Sequence, residues 1–242
     1  AYENMNGSVK WRSNFNTRHS MEVVAGYDNY NYIMSDWTNE VRAYEMAFDI
    51  SQVYGRLKMK YMPVSDHTIT YGADYVSYDL MPGKYLPVGE GSLVIPQIME
   101  NETAMEGAVY VGDNWALSDR LSVDYGVRYS MFKSNKFYSA PEIRLSGRYL
   151  FNEKVSVKAG FNSMRQYIHM LSNTVSVSPA DTWKLSDKDI APQKGWQAGA
   201  GVYTSVLDDK VELSMEAYYK RMSNYLDFKG GAQLVMNSNV AE

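Results

Sequence analysis

The sequence has no cysteine and no long apolar run, and each absence removes a class of protein. None of the 242 residues is Cys, which excludes disulfide scaffolds, thiolate zinc sites and cysteine nucleophiles. No stretch approaches the roughly 18 uninterrupted apolar residues of a spanning helix, so a helical membrane protein is excluded. The first residues lack a basic start and an apolar core, so we expect no signal peptide within this chain.

Charge and histidine are also sparse. The formal net charge is only -4, and acidic and basic residues are interspersed rather than blocked, so no nucleic-acid partner is predicted. There are 3 histidines, and neither a Gly-x-Ser-x-Gly elbow nor a His-Glu-x-x-His motif is present. The sequence therefore predicts no metal site and no cofactor.

Tyrosine, in contrast, is abundant. The chain has 21 Tyr against 7 Phe, and aromatic residues make up 14% of it. Rings with a polar end suit a surface at a membrane–water boundary. The mean hydropathy of -0.41 does not oppose a membrane barrel, because only alternate residues of its strands face lipid.

The dominant sequence pattern has a period of two. It is clearest over residues 121–131, 155–162 and 211–220, where apolar residues alternate with polar ones. Weaker copies bring the total to nine or ten segments, most of them long enough for a tilted strand to cross a bilayer. The weaker copies cover residues 21–27, 53–61, 69–75, 105–111, 143–149 and 198–206.

The connections between these segments alternate between short and long. The predicted short ones are 16–18, 65–67, 118–120, 152–153 and 208–210. The predicted long ones are 36–44, 81–103, 133–140, 166–192 and the tail after Phe228. Outer-membrane barrels have short periplasmic turns and long outside loops. We therefore predict an all-β, antiparallel transmembrane β-barrel, either of ten strands or a slice of a larger one, and the chain ends favour a slice.

A soluble β-sandwich is the alternative fold, since half-buried sheets show the same alternation. Two features count against it. The polar faces carry many long charged side chains, such as Arg56, Lys58 and Lys60, as a hydrated lumen would accept. The strands also exceed the five or so residues usual in soluble sheets.

The segment 166–192 carries the candidate functional residues. Tyr167, His169 and Trp183 stand among polar spacers, as does Met170, and aromatic rings in outside loops are platforms for ligands. We predict substrate contacts by Tyr167, His169 and Trp183, and the alternative is that these side chains pack the loop onto its neighbours. His169 also permits a rim protease or lipase, with Asp181 and nearby serines, or is an ordinary polar loop residue.

This segment resembles the barrel of Bacteroidota-type TonB-dependent outer-membrane receptors. The resemblance is carried by a Tyr-x-His-x-Leu-Ser-Asn run beginning at Tyr167, by Asp-x-Trp at Asp181, and by the hairpin arm that follows. It covers roughly residues 141–234, and the earlier strands match only by pattern.

The resemblance implies both architecture and partners. Residues 1–242 would be part of a 22-stranded barrel, with the plug domain and the closing strands absent. The whole receptor would use the TonB complex, through its N-terminal plug region, to import a scarce or large substrate such as a siderophore, vitamin, glycan or peptide. Outer-membrane lipid and the imported ligand are the implied partners, and a surface lipoprotein is a further candidate. The alternative hypothesis is a passive or adhesive outer-membrane barrel.

Overall fold

The computed structural model describes residues 1–171, 182–206 and 210–226. Nearly all of its regular structure is β-strand, apart from a short 3-10 helix at Glu40–Arg42. The strands are β1 (Tyr2–Asn16), β2 (His19–Asp36), β3 (Tyr44–Tyr61), β4 (His67–Pro87), β5 (Gln97–Ile98), β6 (Glu102–Ser118), β7 (Leu121–Lys133), β8 (Phe137–Leu150), β9 (Val155–Gln166), β10 (Ile168–Leu171), β11 (Thr182–Leu185), β12 (Gln193–Val206) and β13 (Val211–Ser223).

Ten long strands form one antiparallel sheet in which each strand pairs with its neighbours along the chain. The order is β1-β2-β3-β4-β6-β7-β8-β9-β12-β13, with the two-residue β5 beside β4. β10 and β11 make a separate two-stranded sheet, the β10–β11 hairpin. No ladder joins β1 to β13 in the described ranges, so the sheet is open. The predicted all-β antiparallel architecture is confirmed.

Adjacent rows of the sheet show that its two faces differ chemically. One row, crossing seven strands, is largely charged or polar: Arg12, Glu22, Lys58, Gly72, Tyr110, Arg128 and Glu142. The neighbouring row is apolar: Trp11, Val23, Leu57, Ala73, Val109, Tyr129 and Pro141. Since side chains alternate across a strand, these rows point to opposite sides, here named the polar face and the apolar face.

The connections gather at two ends of the sheet. At the turn end, β1 and β2 are joined by two residues, and β6 and β7 by two. At the loop end, β4 and β6 are joined by residues 88–101, which include β5, and β9 and β12 by residues 167–192, which include the β10–β11 hairpin. The predicted alternation of short and long connections is present in part, because the connection between β7 and β8 at the loop end is short. Residues 207–209 and the tail after Phe228 lie outside the described residues.

One predicted long connection is wrong. Residues 133–140 are mostly strand, and β7 and β8 are joined by a tight turn of 134–136, where Ser134 N–H donates to the Lys136 carbonyl at 3.1 Å. The predicted loop 81–103 also begins too early, because β4 continues to Pro87. No helix in the described ranges is long and apolar enough to cross a membrane.

Candidate functional site

The polar face becomes apolar toward the loop end, and the β10–β11 hairpin packs there. Tyr78, Leu80, Ala104 and Phe132 form a buried cluster on this part of the face. Tyr167 and Leu185, at the base of the hairpin, complete it. Burying these side chains removes apolar area from water, which stabilises the folding of the segment back over the sheet.

Tyr167 is the residue that fixes the base of the hairpin. Its ring stacks on Phe132 with centroids 4.7 Å apart and planes inclined by 2°. Its hydroxyl lies 2.8 Å from Ser130 Oγ, so the polar end of the buried ring has a partner. Burial raises the pKa of Tyr167, and the phenol stays neutral.

His169 lies in β10 and is buried. Its Nε2 is 2.8 Å from Ser186 Oγ, while Nδ1 has no hydrogen-bond partner among the described residues. Burial lowers the pKa of His169 to about 4, and the negative charge of Asp187 opposes that shift. The imidazole is therefore neutral near pH 7.

An ion-pair network ties the hairpin to β6. Lys184 pairs with the Glu102 carboxylate and lies 3.3 Å from Asp187 Oδ2. The second Glu102 oxygen accepts from the Leu185 backbone N–H at 3.0 Å. Burial acts to lower the pKa of Lys184, but the hydrogen bonds and charges of Glu102 and Asp187 outweigh it and raise this pKa. The lysine is charged, and its ammonium group is held by the carboxylates of Glu102 in β6 and of Asp187 after β11.

The β7–β8 turn and the start of β8 also hold the same segment. Ser134 Oγ donates to the Ser186 carbonyl at 2.8 Å, and the Tyr138 hydroxyl donates to the Asp187 carbonyl at 2.6 Å. Sequence reasoning missed Glu102, Lys184 and Tyr138. Lys184 directly follows Trp183, but its partner Glu102 is 82 residues away, and no local signal connects them.

The three predicted contact residues are brought together in one hairpin, but they differ in accessibility. Tyr167 and His169 are buried. Trp183 is partly exposed at the edge of the apolar cluster, and it pairs across the hairpin with the exposed Met170. Direct contact with a substrate by these three residues stays a prediction, and Trp183 is the one whose ring is reachable as the segment is folded.

A groove of about 920 Å³ lies beside the hairpin base at the loop end. Its walls come from the β4–β6 connection, the β7–β8 turn and the end of β11. The polar lining includes Gln97, Glu100, Asn101, Glu102, Asn135, Lys184 and Asp187. Three carboxylates against one lysine make it acidic, and its amides supply both donors and acceptors.

The His169–Ser186 pair does not form a hydrolytic centre. Ser186 is 0% exposed and His169 is 1% exposed, so a substrate cannot reach the hydroxyl. Among the described residues no carboxylate binds Nδ1, so they supply no orienting group of the kind that a catalytic serine–histidine pair needs. Asp181, the acid predicted beside His169, lies outside the described residues. Among the described residues, no group of three or more His, Asp or Glu side chains is placed to hold a metal ion.

A second groove lies on the polar face closer to the turn end, with a volume of about 440 Å³. Arg128 pairs there with Asp74, and Lys58 and Arg144 line the same space. The Tyr110 hydroxyl donates to the Leu57 carbonyl at 3.2 Å. The polar face is thus a charged surface over several strands.

Comparison with known proteins gives a consistent result. A family model described as TonB dependent receptor-like, beta-barrel, matches residues 2–241. No protein of curated function matches the sequence.

Solved structures of low sequence identity share the fold. The copper transporter OprC has a TM-score of 0.71 at 11% identity, over 93% of this chain and 40% of that one. The FrpB iron transporter from Neisseria meningitidis gives 0.67 at 11%, over 94% and 38%. The ferric-catecholate import receptor Fiu from E. coli K12 gives 0.63 at 11%, over 96% and 42%. The chain therefore spans about two fifths of these proteins' length.

Proposed function

Because the chain belongs to the TonB-dependent receptor β-barrel family, we propose that it forms part of the wall and mouth of an outer-membrane importer of a scarce or large substrate. Receptors of this family are transporters rather than enzymes, lie in the outer membrane of Gram-negative bacteria, and interact with TonB and with imported ligands. The observation that carries the proposal is the two-faced sheet with the β10–β11 hairpin folded over its polar face.

The hairpin supports the import proposal because the groove beside it, at the loop end of the sheet, is lined by polar side chains. The groove beside it carries Glu100, Glu102 and Asp187 together with Lys184. Trp183 adds an accessible ring on the same segment. We propose that Trp183 contacts the substrate first, and that Tyr167 and His169 keep the hairpin in shape or contact the substrate once it moves.

The substrate is proposed only as a class: a chelated metal, a vitamin, a glycan or a peptide. Among the similar structures, OprC is named a copper transporter and Fiu a ferric-catecholate receptor, and these names describe those proteins. The finer resemblance to Bacteroidota-type receptors and a surface lipoprotein as partner both stay predictions.

We further propose that residues 1–242 are a partial barrel, and that a plug and the closing strands belong to other parts of the whole receptor. Two observations support this. β1 and β13 do not pair with each other in the described ranges, and an open sheet edge in lipid leaves backbone groups without partners. The chain also spans only about 40% of the OprC chain.

The test uses cells in which the gene for the whole receptor is deleted and then restored. Growth is compared on media where iron, a vitamin, a glycan or a peptide is supplied only as a large or scarce source. We expect one source to require the receptor and also to require TonB. Uptake that persists when TonB is removed would instead indicate a passive barrel and overturn the proposal.

The site is tested in the same cells with Trp183→Ala. We expect slower uptake at low substrate concentration, with recovery at high concentration, because the ring contributes to binding. Trp11→Ala is the matched control, since Trp11 is exposed on the apolar face of β1. Equal uptake by the two variants would reject Trp183 as a contact while leaving import itself intact.

A further inference from the structure

All charged side chains on the apolar face of β8, β9, β12 and β13 are basic, and they lie together at the loop end. They are Arg165 in β9, Lys194 in β12 and Arg221 in β13. The acidic residues within the bounds of these four strands all belong to the polar face: Glu142, Glu212 and Glu216. The import proposal does not explain a cluster of one sign of charge on a surface that is otherwise apolar.

The pairing register assigns the three basic residues to the apolar face. One row of that face runs through Leu145, Phe161, Ala198 and Tyr219. Arg165, Lys194 and Arg221 each stand an even number of positions from this row along their own strands. Since side chains alternate across a strand, all three leave the sheet on the same side as that row.

The three side chains line one groove. Lys194 and Arg165 are direct partners across the β9–β12 ladder, and Arg221 pairs with Trp196 of β12. The groove has a volume of about 440 Å³, and its other lining side chains on this face include Ile143, Phe161, Ser163, Trp196 and Ser223. None of the three basic residues forms an ion pair with a described residue.

This arrangement favours an anion. Like charges directly opposite each other on neighbouring strands destabilise a sheet, and Arg165 and Lys194 stand in that relation. Glu142 borders the groove, but its side chain belongs to the polar face and the residue is only 7% exposed. A bound anion offsets the repulsion between the two basic side chains, and no carboxylate on their own face competes with it.

The groove also supplies hydrogen-bond donors. Ser163 Oγ accepts from the Ile143 backbone N–H at 2.8 Å, and its own hydroxyl hydrogen has no acceptor among the described residues. A guanidinium group binds phosphate through two parallel hydrogen bonds, and an ammonium group adds a compact positive charge. Two arginines, one lysine and a serine hydroxyl around one groove therefore fit a phosphate group.

The position of the groove along the strands places it at the outer boundary of the membrane. The Trp196 ring lies between the basic residues and the rest of the apolar face, with its centroid 6.1 Å from that of Phe161 and 5.4 Å from that of Tyr219. Toward the turn end the same face continues with apolar residues such as Val202. Tryptophan and tyrosine mark the boundary between acyl chains and headgroups, and the long connections of an outer-membrane barrel lie outside.

We propose that Arg165, Lys194 and Arg221 bind the phosphate group of a lipid in the outer leaflet, whose acyl chains lie against Trp196 and Phe161. A lipid is favoured over a free anion because the apolar wall of the groove is continuous with the surface that meets acyl chains. The site is separate from the import site, since the β10–β11 hairpin packs on the opposite face of the sheet.

The experiment loads the whole receptor with lipid in detergent, removes the excess by gel filtration and measures retained lipid by native mass spectrometry. Lipid A, a phosphorylated glycolipid, is compared with the same lipid after its phosphate groups have been removed. Inorganic phosphate is added as a competitor at the same concentration as the lipid. We expect lipid A to be retained in the presence of inorganic phosphate, and the phosphate-free lipid to be lost.

Two variants test the basic residues. We expect Arg221→Gln to weaken retention of lipid A about tenfold, as for loss of a charge-assisted hydrogen bond. Lys220→Gln is the matched control, since Lys220 is the preceding residue of β13 but belongs to the polar face, where it pairs with Gln197. Arg165→Gln should also weaken retention, but the lipid-free receptor should unfold at no lower temperature, because the change removes one of two facing like charges.

Four results would overturn the proposal. Equal retention of the phosphate-free lipid by the wild-type receptor would mean that only acyl chains are bound. Displacement of lipid A by inorganic phosphate would indicate a site for free anions. Normal retention by folded Arg221→Gln would exclude this groove, and an equal loss in Lys220→Gln would indicate a general effect of charge. The two wild-type comparisons need no variant, so misfolding of a variant does not remove the test.

Discussion

Tyr110 of β6 lies over Gly72 of β4, its direct partner in the ladder on the polar face. A Cβ on Gly72 would meet the Tyr110 hydroxyl oxygen at 2.6 Å and would also clash with the Leu57 carbonyl. The tyrosine hydroxyl donates to that same carbonyl at 3.2 Å. Glycine at position 72 therefore allows one ring to bind across two neighbouring strands.

We predict that Gly72→Ala destabilises the receptor by about 1–3 kcal/mol, the usual cost of overpacking. The backbone carbonyl of Leu57 cannot turn aside as a flexible side chain would. Gly55→Ala is the control, because a Cβ there meets nothing within 4 Å. Chemical unfolding in detergent micelles measures both. Equal stability of the two variants would show that the ring and carbonyl adjust freely.

We predict that Lys184→Met loosens the β10–β11 hairpin. The substitution leaves Glu102 and Asp187 near each other without their shared cation, and a charged hydrogen bond of this kind contributes about 1.5–3 kcal/mol. Hydrogen–deuterium exchange should accelerate over residues 183–187 and stay unchanged in β7. Lys188→Met serves as control, because Lys188 is exposed and its one ion pair among the described residues, at 3.8 Å, is with Asp189. Equal exchange in both variants would contradict the tether.

We predict that docking of the hairpin weakens in mild acid. The pKa of His169 is about 4 in the docked hairpin against the usual 6.5, so between these values the undocked state binds more protons. The favourable free energy of docking therefore has its full value above pH 6.5. It decreases progressively as the pH falls to 4, by roughly 3 kcal/mol in all.

Exchange over β10 and β11, corrected for intrinsic rates, measures this at pH 7.5 and 5.5. His169→Gln keeps a partner for Ser186 and does not titrate, so its docking should be independent of pH. An unchanged pH response in that variant would assign the effect to groups other than His169.

We predict that Phe132→Ala undocks the hairpin more strongly than any single polar change. Phe132 is fully buried and stacks on Tyr167, and removing such a ring costs about 3–5 kcal/mol. Phe137→Ala is the control, since Phe137 is 56% exposed. Limited proteolysis of the whole receptor should cut the hairpin segment only in the Phe132 variant. Cleavage in both would point to a general loss of stability.

The long strands could be predicted from sequence because polar and apolar residues alternate along them. They alternate because the two faces of the sheet have different surroundings. Val123, Val127 and Arg128 illustrate this, since the valines face the apolar side and the arginine pairs with Asp74 on the other. The prediction failed at 133–140, where Phe137 and Tyr138 are adjacent aromatics. Tyr138 is on the polar face and still packs, because the hairpin covers it there. The period-two pattern of a strand cannot reveal that a segment distant in the sequence packs over it.

The candidate site was only partly predictable for the same reason. The hairpin residues are unusual enough in sequence to be noticed, but their burial depends on Leu80, Ala104 and Phe132, which look like ordinary strand positions. The partner of Lys184 is 82 residues away. Arg165 and Lys194 meet because β9 pairs with β12, and nothing local to either residue predicts that they meet.

In the main sheet, each of the ten long strands pairs with the long strands that precede and follow it in the chain. This order has a consequence for how such a sheet is assembled and how it changes in evolution. Every ladder joins segments that follow each other in the chain, so the wall consists of repeated two-strand units. A unit can be inserted or deleted without rewiring any other pairing. The width of the sheet is therefore set by a simple count of units, while the long connections can change in length and sequence independently of the strand pairing.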